Sequence, residues 1–199
     1  MRRLIVVCLA LSLMAGCGPP PPRPTYYRID YPVSATEPSG PAVDLYLAVP
    51  PFKAPEPLAR TNIIHRSSNR TLVHYQSYYW EQPPADVAHR QLVATLRAAK
   101  VFKQITTRRL ALEADLTLKG RVTRFEEVDL SEGRFALVNL AVELSRPDSG
   151  TVFWSDQVEA RIAVTSEGPE ALAEAMSQAL KECVDEVVAE VVEAARDFN

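Results

Sequence analysis

Between Leu116 and Val164, apolar and polar residues alternate with a period of two in three successive runs. Along an extended backbone, neighbouring side chains point to opposite faces, so each run reads as a half-buried strand. In the first run Leu116, Leu118 and Val122 share one face, while Thr117, Lys119, Arg121 and Thr123 share the other. Phe125 breaks this phase, which predicts a bulge near Thr123-Arg124, where one inserted residue returns an apolar side chain to the buried face. Glu132-Gly133 supplies the next turn, and Ala136, Val138, Leu140, Val142 and Leu144 line one face of the second run. Pro147-Asp148-Ser149-Gly150 turns the chain again. In the third run Val152, Trp154, Val158, Ala160, Ile162 and Val164 are expected to face inward, with Gln157, Glu159 and Arg161 outward. A meander with one apolar face cannot stand alone in water; it needs a covering layer.

Two segments have helical spacing and can supply that layer. Pro83-Pro84 opens a helix over about Ala85 to Lys100, with Ala88, Leu92, Leu96 and Ala99 on one stripe. Asp86 near its start and Arg97 and Lys100 near its end complement the helix dipole. Ser166 to Glu170 starts a second helix that runs to about Arg196, with Leu172, Met176, Leu180, Cys183, Val187 and Val191 as its buried stripe. Its many valines gain little from helix propensity, so packing on the sheet must hold it. Upstream, Tyr26 to Asp30 reads as a first edge strand, and residues 32–42 as loop. Leu45, Leu47 and Val49 form a strand that Pro50-Pro51 ends, followed by extended segments over Asn62–Arg66 and Thr71–Tyr79. The expected fold is α+β, an antiparallel sheet with two helices packed on one face.

The N-terminus carries an address. Arg2 and Arg3 precede an apolar run from Leu4 to Met14, and Ala15 and Gly16 stand directly before Cys17. Those 11 apolar residues would rise only about half of the roughly 30 Å hydrocarbon core, which suits a secretory signal and not a spanning helix. The Ala-Gly-Cys ending resembles the lipobox of bacterial lipoproteins, which implies a diacylglyceryl group on Cys17 and cleavage ahead of it. An ordinary secreted protein cleaved at the same small residues is the alternative. The expected organisation is a signal peptide over residues 1–16, a lipidated Pro-rich tether over 17–25 and one domain over 26–199. The stretch GPPPPRP from Gly18 to Pro24 would extend at about 3.1 Å per residue as a semi-rigid spacer.

Loss of residues 1–16, which hold two arginines and no acid, takes the formal charge from −3 to −5. No basic surplus favours nucleic acid, so attachment to a membrane falls to acyl chains such as palmitate. Cys8 leaves with the signal and Cys17 is blocked, so Cys183 has no disulfide partner, and its apolar stripe marks it as a buried structural thiol.

Little in the chain signals catalysis. His65, His74 and His89 belong to three different elements, without the converging ligands that a zinc site needs. There is no G-x-S-x-G elbow, P-loop or G-x-G-x-x-G, and seven glycines leave little material for phosphate-cradling loops. Glu126 and Glu127 are adjacent on a strand and therefore point to opposite faces. No enzyme activity, no metal and no cofactor are expected beyond the covalent lipid on Cys17. Two features could mark a partner surface. Tyr75, Tyr78, Tyr79 and Trp80, close in sequence to the Phe52 loop, have the composition of an interface anchor but serve equally well as core. Glu182, Glu186, Glu190 and Glu193, continued by Asp197, form an acidic ridge that reads either as a solvated helix face or as a contact for a basic partner.

From Tyr26 onward the chain resembles the ABC-type transport auxiliary lipoproteins, which include the paraquat-inducible C-type lipoproteins. The likeness rests on the lipobox followed by Tyr26-Tyr27-x-Ile29, on Leu47-x-Val49-x-Pro51, on Leu58-Ala59-Arg60 and on Asn62-Ile63-Ile64-His65-Arg66. Val73, Tyr75 and Trp80-Glu81 fall where the family has a strand ending in a tryptophan-containing segment. His65 and the Tyr78-Tyr79 doublet depart from the family pattern. The resemblance spans roughly residues 26–195 and implies a non-enzymatic periplasmic accessory component of an ABC or mammalian-cell-entry (MCE) lipid transport system. Transporter subunits would be its partners, and a homo-oligomer is compatible with it. Gly18 after Cys17 implies delivery to the outer membrane, facing the periplasm. The rival readings are a periplasmic lipid-binding carrier lipoprotein and an envelope hydrolase.

The anchor makes one direct prediction. Cys17→Ser is expected to leave the precursor unacylated and to release the protein from the membrane pellet after a salt wash. Fractionation and the mass of the processed chain check it.

Overall fold

The computed structural model describes residues 22–33, 42–68, 71–108 and 113–198. The expected signal peptide, Cys17 and most of the loop expected over 32–42 lie outside the described residues. Strands β1 (Thr25–Tyr27), β2 (Val43–Ala48), β3 (Asn62–Ser68) and β4 (Thr71–Trp80) lead into helix α1 (Pro84–Ala99). Strands β5 (Phe102–Thr106), β6 (Leu116–Leu130), β7 (Gly133–Ser145) and β8 (Val152–Ala163) follow, and helix α2 (Pro169–Asp197) closes the chain.

The long strand β6 organises the sheet. One of its edges pairs antiparallel with β7 from Thr117↔Ser145 to Leu130↔Gly133, and β8 pairs antiparallel with β7. Its other edge is shared by three parallel partners in succession. These are β2 at Leu116 and Thr117, the single residue Lys53 opposite Arg121, and β3 at Glu127 and Val128. Strand β5 adds parallel to β2, β4 antiparallel to β3, and β1 parallel to β4. The α+β class is as expected, but the sheet is mixed and not antiparallel throughout. The meander is antiparallel because short turns join its strands. The parallel partners come from far away in the chain, as with Leu47 against Leu116, and alternation within one strand says nothing of a neighbour's direction.

The expected bulge lies between Val122 and Arg124, where the β6–β7 register shifts. Phe125 thereby turns inward and meets Trp80 edge-on, ring centroids 5.7 Å apart. Helix α1 begins at Pro84 with Asp86 in its first turn and ends on Lys100, whose positive φ of 54° closes the last turn through its N–H to the Arg97 carbonyl. Helix α2 begins after Gly168, in a conformation with φ of 103° that favours glycine, and lies against β7, β8 and α1. Its expected stripe is fully buried, from Leu172 through Met176, Leu180, Cys183 and Val187 to Val191. Val152, expected inward, is 45% exposed, because the register shifts between Leu144 and Ser145 at that end of β8.

At Gly120 the β6 backbone lies close against a core ring. It faces the ring of Phe52, and a Cβ there would stand 2.2–2.4 Å from three of the ring atoms. Gly120→Ala is expected to lower stability by about 1–3 kcal/mol through overpacking. Adding Phe52→Leu in the same chain should recover part of that loss in urea unfolding.

Candidate functional site

The residues suggested as a partner surface divide between core and exterior. Phe52 is 7% exposed and Trp80 1% exposed, so both are core residues and not surface anchors. Pro50-Pro51 ends β2, and Lys53 is then held by two backbone hydrogen bonds to β6, 3.0 and 2.9 Å long. Its neighbour Phe52 points to the opposite side, against Gly120 and the ring of His89. Trp80 packs against the Phe125 ring, and its backbone N–H donates to the Thr61 carbonyl at 2.7 Å.

The tyrosines sit where β4 leaves its ladder. Between the pairs Ile64↔His74 and Asn62↔Tyr79, β4 advances five residues while β3 advances two. The surplus chain carries half-buried Tyr75 and Tyr78. The Tyr75 hydroxyl donates to Glu127 Oε2 at 2.5 Å; its ring lies 5.9 Å from Tyr78, which meets Tyr27 edge-on. Tyr27 in turn donates to Glu170 at the start of α2. Burial first, and then the bond to Glu127, push the Tyr75 hydroxyl well above the usual phenol range. Tyr79 stacks at a tilt on Tyr26, which is 60% exposed, so this pair is the outward part of the cluster.

Glu126 and Glu127, adjacent on β6, lie on opposite faces of the sheet, yet both are buried. Glu127 lies on the helix-covered face, where Oε1 is 3.2 Å from Arg134 Nε while Arg134 Nη2 donates to the Ser166 carbonyl. Beside it His65 Nε2 donates to Asp129 at 2.8 Å. On the other face Glu126 accepts from Arg66 through Nε and Nη2 and from Arg124 Nε, at 2.8–3.1 Å. Arg124 also reaches Glu159, which accepts from Asn139. These clusters were not legible in the chain, because each joins strands 50 or more residues apart or depends on the bulge that sets the face. A buried carboxylate clamped by guanidinium groups specifies strand register better than it serves proton transfer.

On α2, Glu182, Glu186 and Glu193 are exposed, as a ridge requires, whereas Glu190 is half-buried against Asp156 of β8. Cys183 is fully buried, its thiol directed at the Val138 carbonyl 3.6 Å away, and burial pushes its pKa up to about 12. That thiol is unreactive at neutral pH. Among the described residues no three His, Cys, Asp or Glu side chains gather as metal ligands, and no helix is long and apolar enough to cross a membrane.

A family model described as the ABC-type transport auxiliary lipoprotein component matches residues 27–188. No curated protein matches the chain in sequence. Among solved structures, a protein from Xanthomonas campestris is similar with a TM-score of 0.80 at 22% identity, over 87% of this chain and 98% of that one. A hypothetical protein from Chlamydia trachomatis is similar with a TM-score of 0.58 at 9% identity, over 77% of this chain and 98% of that one. At these identities the likeness establishes the fold alone.

The Glu190–Asp156 contact predicts a pH dependence. Burial, and next the hydrogen bond to Asp156, raise the Glu190 pKa above 4.5, with Glu186 and Glu193 adding to the shift. A carboxyl raised in the folded state contributes stability that is complete below its unfolded pKa and is lost as pH rises through the folded value. Glu190→Gln is therefore expected to lose less stability than the wild type between about pH 4 and about pH 7. Thermal midpoints measured across that range check it; parallel curves for the two proteins would contradict it.

Proposed function

We infer, from the premise that this chain belongs to the ABC-type transport auxiliary lipoprotein family, that it docks an envelope-spanning lipid transporter. Family membership already makes it a transport auxiliary component of the cell envelope, a class distinct from enzymes. The finer reading is a scaffold at the outer membrane, held by an acyl group on Cys17 and facing the periplasm. Its partner would be a mammalian-cell-entry-domain subunit or the ABC components themselves.

The observation that carries this reading is the family match over residues 27–188. The lipobox-like run before Cys17 supports the anchor, and the proline-rich stretch behind it supports a spacer. The surfaces best suited to docking are the outward Tyr26–Tyr79 pair and the exposed acids Glu182, Glu186 and Glu193. Tyrosine at a rim supplies contact area at low entropic cost, and a row of carboxylates steers a basic partner toward it.

Affinity purification of the full chain from detergent-solubilised envelopes is expected to recover a mammalian-cell-entry subunit or an ABC permease or ATPase. Recovery of the protein alone in repeated preparations would overturn the reading. Glu182→Lys with Glu186→Lys should weaken the co-purification and leave the unfolding free energy within about 0.5 kcal/mol of wild type, since both sites are exposed.

A further inference from the structure

The edge of β6 between β2 and β3 is filled by one residue, Lys53, and beside it lies a groove of about 380 Å³. Lys53 is directly opposite Arg121, and paired residues of neighbouring strands share a face. Lys119 lies two residues before Arg121 on the same strand and so shares that face too. All three side chains are exposed and line the groove, with Pro50 and Pro51 as its apolar wall and Glu143 as the one acid among the described residues that line it. This is the side of the sheet away from both helices, since Leu118 and Val122, which alternate with Lys119 and Arg121, are buried in the core.

The charges in this groove are not balanced by ion pairs among the described residues. Among the described residues Lys53, Lys119 and Arg121 take part in no ion pair, and Glu143, although directly across from Lys119, forms none either. Elsewhere on the same face the cations are matched: Arg66 and Arg124 to Glu126, and Arg161 to Glu132. Like charges set directly opposite each other destabilise a sheet. A general excess of base does not account for the cluster, because the chain as a whole has a formal charge of −3. The site is also rigid. The Lys53 backbone is bonded to β6 through both its N–H and its carbonyl, two prolines fix the approach, and the Phe52 ring wedged against Gly120 holds the segment from behind.

We propose that the groove formed by Lys53, Lys119 and Arg121 is a binding site for a phosphate group. The Arg121 guanidinium offers a planar fork to two phosphate oxygens, and the two ammonium groups add compact charge from either side. The volume lies within the usual range for small-molecule sites, enough for a phosphate with a short polar substituent. A phospholipid headgroup and a soluble phosphate present the same anion. The site is independent of the docking role, so failure to recover a transporter partner would leave it standing.

The test uses the full-length protein in non-ionic detergent micelles, titrated in one arm with phosphatidylglycerol and in the other with inorganic phosphate. Native mass spectrometry and calorimetry read binding. Lys119→Ala with Arg121→Ala is expected to weaken binding at least about tenfold, whereas Glu143→Gln, which removes the one competing acid, should tighten it. Both variants alter exposed side chains, and an unchanged thermal midpoint verifies that they fold. Saturable binding of phosphatidylglycerol that inorganic phosphate displaces only weakly would assign the site to a lipid headgroup. Saturable binding of inorganic phosphate alone would assign it to a soluble phosphate. Binding of neither probe, or binding that neither variant changes, would overturn the proposal.

Discussion

One extra residue at Thr123 decides the face on which every later side chain of β6 falls. Before it, Leu118 and Val122 point toward the helices; after it, Phe125 and Glu127 do, and Arg124 and Glu126 point away. If Thr123 paired regularly instead of bulging, Phe125 would meet solvent, Trp80 would lose its edge-on partner, and each buried glutamate would lie on the wrong side of the sheet. The bulge is held locally: the Thr123 hydroxyl donates to the Asn139 carbonyl at 3.2 Å and also bonds the Asn139 side chain, which donates in turn to Glu159. A polar network on the open face thus fixes a register on which the apolar core depends.

Much of this architecture was legible in the chain because it is local. Period-two alternation marked β6, β7 and β8, and the phase break at Phe125 marked the bulge within a residue. Helical spacing marks α1 to within a residue at each end, and every position of the α2 stripe from Leu172 to Val191 is buried. What stayed hidden is what the chain brings together from a distance. Strand β5 is five residues long with one buried side chain, too short for a pattern. The parallel partners of β6 leave no trace in β6 itself. Phe52 and Trp80 have interface composition yet are core, because burial of an aromatic follows from the elements packed on either side. Proline runs and aromatic clusters report local stiffness and size, and neither reports which way the ring turns.

The two buried glutamates show how register is enforced across the sheet. A buried ion pair gives little net stability, because desolvating both charges offsets most of their attraction, but removing one partner costs about 3–5 kcal/mol. Glu126 is clamped by Arg66 of β3 and Arg124 of β6, and Glu127 by Tyr75 of β4 and Arg134 of β7. A slip of β3 or β7 by one residue would strand a carboxylate in the interior. The pairs therefore penalise the wrong alignments far more than they reward the right one. That matters where β3 meets β6 at only two residue pairs, His65↔Glu127 and Arg66↔Val128.

The two faces of the sheet divide the work between them. Both helices cover one face, and the alternation that fills the core beneath them displays charge on the other. Near the β3 end of β6 that charge is internally matched and serves the fold, as with Arg66, Arg124 and Glu126. Near the β2 end, Lys53, Lys119 and Arg121 have no such match among the described residues and stand on a backbone that the fold already holds rigid. A strand that is structural along one side and chemically free along the other can vary its outward residues without disturbing the core. The mixed sheet makes this possible: β2 and β3 leave a gap on the edge of β6, and a two-stranded antiparallel neighbour would have closed it.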